Sequence, residues 1–373
     1  MRIKASGTMF DAAKAPSDQR SNAFTSLMQM QNGAFLAAFR TASGRDAPDG
    51  RLHIMSSDDG QGWLTVHPGL TATVDGITGN IYSGYFTEFE PGRLLGAFVW
   101  VDRSDPNLSF VHPETAGILP TRNLLADSTD SGASWIDFRE VDLSPETGCT
   151  VTGPIFSIDE QTLALPYETW KSYEDPTPGE HTASLRLSHD EGATWPDRVI
   201  VAADSNAQIF YWDQRIARHP EASEFVAMFW THDRSLGVDI ENHIAWSDSS
   251  GGNWSTPRPA GWRGQHCQTL PLGGDRLAAI YVHRHHPPSI RMTVSDDFGK
   301  TWDLDNQLTF YESTPSEPNK VDASKPFKEI WQDMMRWQFG HPRAVLNHDG
   351  DVLIAYYAGD DESTSMLWSL IEL

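Results

Sequence analysis

The sequence holds only two cysteines, Cys149 and Cys267, in 373 residues. Two cysteines build no disulfide framework, so the fold must rest on its apolar core. Positive charge is scarce as well: 28 Lys and Arg stand against 51 Asp and Glu, a formal net charge of −23. Nucleic acids and anionic membranes both require basic surface, so neither is expected as a partner. No apolar run approaches the length of a membrane span. The start, Met1-Arg2-Ile3-Lys4-Ala5-Ser6, lacks the apolar stretch of a signal peptide, and a cytoplasmic location is expected. Signatures of a catalytic Ser/His/Asp set or of a phosphate-cradling Gly-rich loop are missing.

What is present is one eight-residue phrase, said five times. Its rule is Ser, any, Asp, any, Gly, any, Ser or Thr, Trp. Clear copies run Ser128 to Trp135, Ser188 to Trp195 and Ser295 to Trp302. Ser56-Ser57-Asp58-Asp59-Gly60-Gln61-Gly62-Trp63 lacks the hydroxyl before Trp, and Ser247 to Trp254 has Ser249 in the Asp place. The Asp can accept hydrogen bonds from backbone N–H groups ahead of it, closing a turn. Gly supplies positive φ, and Trp buries a large ring between neighbouring sheets. Each copy reads as a structural turn and not as chemistry.

Upstream of each copy, a polar turn leads into a short apolar strand, as in Gln31-Asn32-Gly33 before Ala34 to Phe39. Six such units occur, the last starting at His348-Asp349-Gly350. This rhythm suits one four-stranded blade per repeat. The expectation is an all-β fold, a six-bladed β-propeller with Asp-box hairpins, forming a single domain over residues 1–373. Its blades fall at about 20–70, 80–140, 150–200, 205–258, 262–310 and 338–373. The N-terminal strand, around Ile3 to Met9, closes the last blade and hides its edge. One helical insertion is expected, from Pro326 to Trp337.

Propeller geometry places the pocket where innermost strands begin and second strands end, on the face away from the repeat turns. Residues there are rich in Arg, His, Asp and aromatics. Candidate catalytic groups are Asp213, His341, Glu168 and, on the loop from Thr41 to Gly50, Asp49 with Asp46. Candidate substrate-binding residues are Arg40, Arg103, Tyr211, Trp212, Arg215, His232, Arg234, His266, His283, Arg284 and Arg343. Arg grips carboxylates bidentately, so an Arg cluster on an acidic chain points to an anionic ligand. The run His283-Arg284-His285-His286 lacks the spacing of a zinc motif and reads as a polar binding rim. Neither metal nor cofactor is expected.

On these five phrases and this rhythm the chain resembles the sialidase superfamily, whose repeats are the Asp boxes or BNR repeats. The resemblance covers essentially the whole length. It implies an exo-acting, retaining hydrolase that clamps a sugar carboxylate with three arginines and uses a Tyr–Glu nucleophile and a loop Asp. Family members carry Arg-Ile-Pro at the entry to the first strand; this chain has Ala23-Phe24-Thr25, with Arg40 or Arg20 as substitutes. The family Glu falls near Asp213, its Tyr near His341, and the loop acid at Asp46 or Asp49. Arg234, Arg284 and Arg291 stand in for the remaining clamp. The expected function is therefore a sialidase-like exo-glycoside hydrolase on a terminal acidic sugar, sialic acid or a related carboxylated sugar. A β-elimination lyase on a uronate and a non-catalytic glycan-binding propeller are the alternatives. The expected partner is an acidic oligosaccharide.

Overall fold

The computed structural model describes the chain except residues 249, 314–326 and 335, and describes only the backbone at 266, 327, 328 and 332. It is an all-β propeller. Its second strands show why the sequence reads as short apolar runs: Phe35–Ala42 is buried at every position, and Arg93–Val101 at all but the first. A strand covered on both faces needs apolar residues on both. The outer strand Leu64–Leu70 is largely exposed or half-buried, so burial falls from the axis outward.

Four sheets stand as separate blades, not six. Each runs outward from an innermost strand: Ile77–Glu90, the split pair Thr150–Val151 and Phe156–Ser157, Ile209–Arg218, and Gln265–Gly273. The remaining strands form one eight-stranded sheet that joins the start of the chain to its end. The join is a single parallel pair, Ser21 with Thr364. Asn22 reinforces it: its N–H donates to Thr364 Oγ1 (2.8 Å), and its Nδ2 donates to the Thr364 carbonyl (2.6 Å). Arg2–Phe10 pairs antiparallel with Thr364–Glu372, from Arg2 opposite Glu372 to Phe10 opposite Met366. That strand covers an edge which would otherwise be open.

The repeated phrase forms one turn. The Ser188 hydroxyl donates to Asp190 Oδ1 (2.8 Å) and accepts the Gly192 N–H (2.8 Å). Asp190 accepts the Thr194 N–H (2.8 Å) and its hydroxyl (2.6 Å), while Trp195 Nε1 donates to the Gly192 carbonyl (3.2 Å). Hydrogen bonds, first of all from the Thr194 hydroxyl, hold the Asp190 carboxyl down at about 2. Gly192 sits at φ 87°, directly after Glu191 at φ 60°. The first copy corrects the sequence register. Ser57 and Asp59, not Ser56 and Asp58, make these bonds: Asp59 accepts the Gln61 and Gly62 N–H groups, both at 2.8 Å. In the fifth copy Asp248 takes over, accepting from Asn253 Nδ2 (2.7 Å).

Helix α1 spans Phe327–Met334, inside the expected insertion; Pro326 lies outside the described residues. Cys149 and Cys267 are both free and buried. Among the described residues, no helix is long and apolar enough to cross a membrane.

Candidate functional site

Three innermost strands carry the same irregularity. Pairing slips between Ala23 and Ser26, between Trp212 and Arg215, and between Gly340 and Arg343. Inside each slip one non-glycine residue takes left-handed backbone: Phe24 (φ 56°), Asp213 (φ 53°) and His341 (φ 47°). A β-bulge re-aims a side chain, and such conformations persist only where the surroundings enforce them. All three residues line one cavity of about 140 Å³, together with Glu168 and Trp212.

Glu168 ends the strand Leu163–Glu168. Its Oε2 accepts the Asp213 N–H (3.0 Å) and its Oε1 the Thr150 hydroxyl (3.4 Å). Burial, followed by the charge of Asp213, pushes the Glu168 carboxyl up to about 8. Asp213 Oδ1 pairs with Arg215 Nη2 (2.9 Å). Of these two neighbouring carboxyls, Glu168 is buried and favours its proton, while Asp213 is paired with a guanidinium. His341 packs edge-on to Phe24, with centroids 4.7 Å apart.

One wall of the cavity is aromatic. Trp170, Trp212, Trp230 and Trp331 all line it; Trp212 lies 4.6 Å from Trp230 and 5.7 Å from Trp331, centroid to centroid. His181 sits among these rings, its two nitrogens facing the carbonyls of Thr169 (3.0 Å) and Tyr211 (2.9 Å). Burial pushes its imidazole down to about 4.

Across from this wall stands Arg45. It is the single Lys or Arg lining the cavity among the described residues. Its guanidinium lies 5.2 Å from the Phe24 ring centroid and 4.7 Å from that of Tyr357, and Nη2 donates to the Tyr357 hydroxyl (3.0 Å). Arg284 approaches the same hydroxyl: a Cβ on Gly340 would lie 3.0 Å from both Arg284 Nη2 and Tyr357 Oη, so all three groups crowd one place. Neither arginine forms an ion pair among the described residues; Arg284 Nε donates to Gln265 Oε1 (2.9 Å), through which Asp239 acts on it, and Arg45 Nη1 and Arg284 Nη2 are buried without a hydrogen-bond partner there. Burial pushes the Arg284 guanidinium down to about 10, and Arg45 adds to that lowering.

Of the expected residues, Glu168, Trp212, Asp213 and His341 meet at the cavity; the others do not line it. Arg40 is wholly buried and donates to the carbonyls of Gly44 (3.3 Å), Arg45 (3.0 Å) and Ala47 (2.6 Å). Arg103 pairs with Asp46, and Asp46 also accepts the Phe110 N–H (2.8 Å). Asp49 is exposed and accepts the Ser43 N–H (3.1 Å). These residues brace the loop that carries Arg45. Tyr211 packs in the core against Phe229 and His243. His232 stacks on Trp212 from outside the cavity and contacts Asp239 (2.9 Å). Arg234 covers Phe210, and His283 contacts the Pro287 carbonyl (3.2 Å). Arg215 and Arg343 lie deeper along the axis, both donating to the Thr152 carbonyl (2.7 and 3.1 Å). The side chain of His266 lies outside the described residues. Among the described residues, no three His, Cys, Asp or Glu side chains stand as a metal-ligand group. Arg45, Trp170, His181, Trp230 and Trp331 are among the lining residues that motif reasoning missed. The surplus of tryptophans beyond the five turns was the one signal for the three tryptophans.

No family model and no curated protein matches the chain. Solved structures do. A protein of unknown function from Dyadobacter fermentans is 20% identical, with a TM-score of 0.75 over 100% of this chain and 99% of that one. The α-L-arabinanase of Penicillium chrysogenum, solved with arabinobiose, is 15% identical, with a TM-score of 0.66 over 100% and 99%. The intramolecular trans-sialidase of Ruminococcus gnavus, solved with oseltamivir carboxylate, is 11% identical, with a TM-score of 0.65 over 100% and 98%. At these identities the likeness is one of fold, and the fold is that of β-propellers whose solved members include carbohydrate-active enzymes.

Proposed function

We propose that the chain is a glycoside hydrolase that removes a terminal carboxylated sugar from an oligosaccharide, with Glu168 as proton donor. The observation that carries this reading is the pair at the cavity floor. Glu168, pushed up to about 8, keeps its proton near neutrality, while Asp213 is paired with Arg215. Glycosyl transfer to water needs this division: one carboxyl to protonate the leaving oxygen, one carboxylate to attack carbon or activate water. The fold likeness to an arabinanase and a trans-sialidase supports it by analogy.

Arg45 supports the carboxylated sugar. Arg45 and Arg284 meet at Tyr357 and form no ion pair among the described residues, and a ligand carboxylate would supply the missing charge. The tryptophan wall offers the opposite, apolar face of the sugar a surface to lie on. His341, packed against Phe24 and Tyr357 at the cavity, would position the ring. The eight-stranded sheet reads as a first and a last blade sharing the Ser21–Thr364 bridge, which makes six blades around the site in one domain.

The test is product mass after incubation with a panel of oligosaccharides ending in neutral or carboxylated sugars. Fragments whose summed mass gains one water, from carboxylated members, are expected. Arg45→Gln should raise KM for those members about 10-fold or more, as expected when a charge-assisted contact is lost. Unsaturated fragments without added water would establish a lyase instead.

A further inference from the structure

Beneath the Glu168–Asp213 pair lies a second cavity, of about 360 Å³, lined by the innermost strands from all around the axis. Its lining contains Arg215, Arg218 and Arg343 and no Asp or Glu. On a chain of net charge −23 this is an unusual place. Arg343 is its centre. It is buried and donates to neutral oxygens, the Thr25 carbonyl (3.2 Å), Gln268 Oε1 (3.0 Å) and the Thr152 carbonyl (3.1 Å), while its guanidinium lies 4.8 Å from the Tyr85 ring centroid. It forms no ion pair among the described residues; the charges of Arg215 and, more weakly, Asp213 act on it, and those two are paired with each other. A guanidinium has five N–H donors; three on Arg343 go to these oxygens and the Tyr85 hydroxyl takes a further one, which leaves one uncommitted. The Ser26 hydroxyl also lines the cavity, is 5% exposed and has no partner there. Burying a charge without an opposite charge is costly, which leaves this cavity short of one anion.

We propose that the axial cavity is a binding site for a small, weakly hydrated inorganic anion of the size of chloride, held by Arg343, Arg215 and the Ser26 hydroxyl. The walls select its kind. Met28, Tyr85, Phe86 and Phe156 line the same space, and an anion entering it sheds water against apolar surface. Sulfate and phosphate hold their water too strongly for that. The site has its own lining: only Tyr85 is shared with the cavity above.

Thermal melting at matched, low ionic strength in chloride, bromide or fluoride tests this, since fluoride holds its water too strongly to enter. Chloride and bromide should each raise the melting temperature by roughly 2–4 °C over fluoride, the shift of a ligand present well above its Kd. Arg343→Met should abolish the difference. Should that variant fail to fold, anomalous diffraction from wild-type crystals soaked in bromide decides, with a peak expected within contact of Arg343 and Ser26. Coincident melting curves, or bromide peaks confined to the outer surface, would overturn the proposal. Neither result depends on the catalytic reading.

Discussion

Phe24, Asp213 and His341 each hold left-handed backbone that non-glycine residues adopt at a cost of about 1–3 kcal/mol. That three such residues share one cavity ties the strain to the site and not to chance. The tripeptide at each slip is unremarkable as sequence, so a strand pattern alone marks where the strand begins and not where it kinks. Propeller geometry nonetheless predicted Asp213, Glu168, Trp212 and His341 as pocket residues. It placed Arg40, Arg103 and Asp49 there as well, because residue type does not reveal what a side chain is already holding. Glu168 carries a stability consequence. Its folded-state carboxyl, at about 8, lies above the ordinary value of 4.5. The stability this contributes is complete below about 4.5 and is lost as pH rises through about 8. Glu168→Gln cannot ionise, so its melting temperature should gain on that of the wild type across this interval. Melting curves recorded against pH check this, and parallel curves would contradict it.

At the scale of the element, the repeat turn and the Arg45 loop contrast. The turn is self-contained: Ser188, Asp190, Thr194 and Trp195 satisfy one another within eight residues, which is why the sequence announces it. Even so, the first copy works through Ser57 and Asp59, since spacing to Trp does not fix which of two adjacent Ser and Asp residues faces the turn. Ser188→Ala leaves the Gly192 N–H without its acceptor in a buried place and should cost about 1–3 kcal/mol. Denaturant unfolding measures the loss, and turnover of any substrate should stay unchanged because the turn does not line the cavity. The loop from Thr41 to Gly50 is held instead from outside itself. Arg40, just before it, takes three of its carbonyls, and Arg103, remote in sequence, takes Asp46; these contacts brace the loop that carries Arg45, and the second is a tertiary contact that spacing does not reveal.

At the scale of the molecule, the rhythm of turns and strands was enough to predict a propeller. The count of separate sheets was not, because the bridge from Ser21 to Thr364 fuses the ends of the chain into one eight-stranded sheet. Closure by Arg2–Phe10 was expected, and the strand lies along Thr364–Glu372 as anticipated. Deleting residues 2–10 would open that edge and expose Trp368 and Met366, both now buried. Such a protein should melt at lower temperature and self-associate, which light scattering and size-exclusion chromatography detect; an unchanged monomer would argue against closure.

The pH dependence of kcat/KM, with the panel substrate that the mass analysis identifies, tests Glu168 as proton donor most directly. Because the donor must carry its proton, activity should hold through neutrality and fall as pH rises through about 8. Glu168→Gln should lose about 100- to 10,000-fold in rate and with it the alkaline limb. Retained activity in Glu168→Gln, or a limb that stays in place when Glu168 is gone, would contradict the assignment.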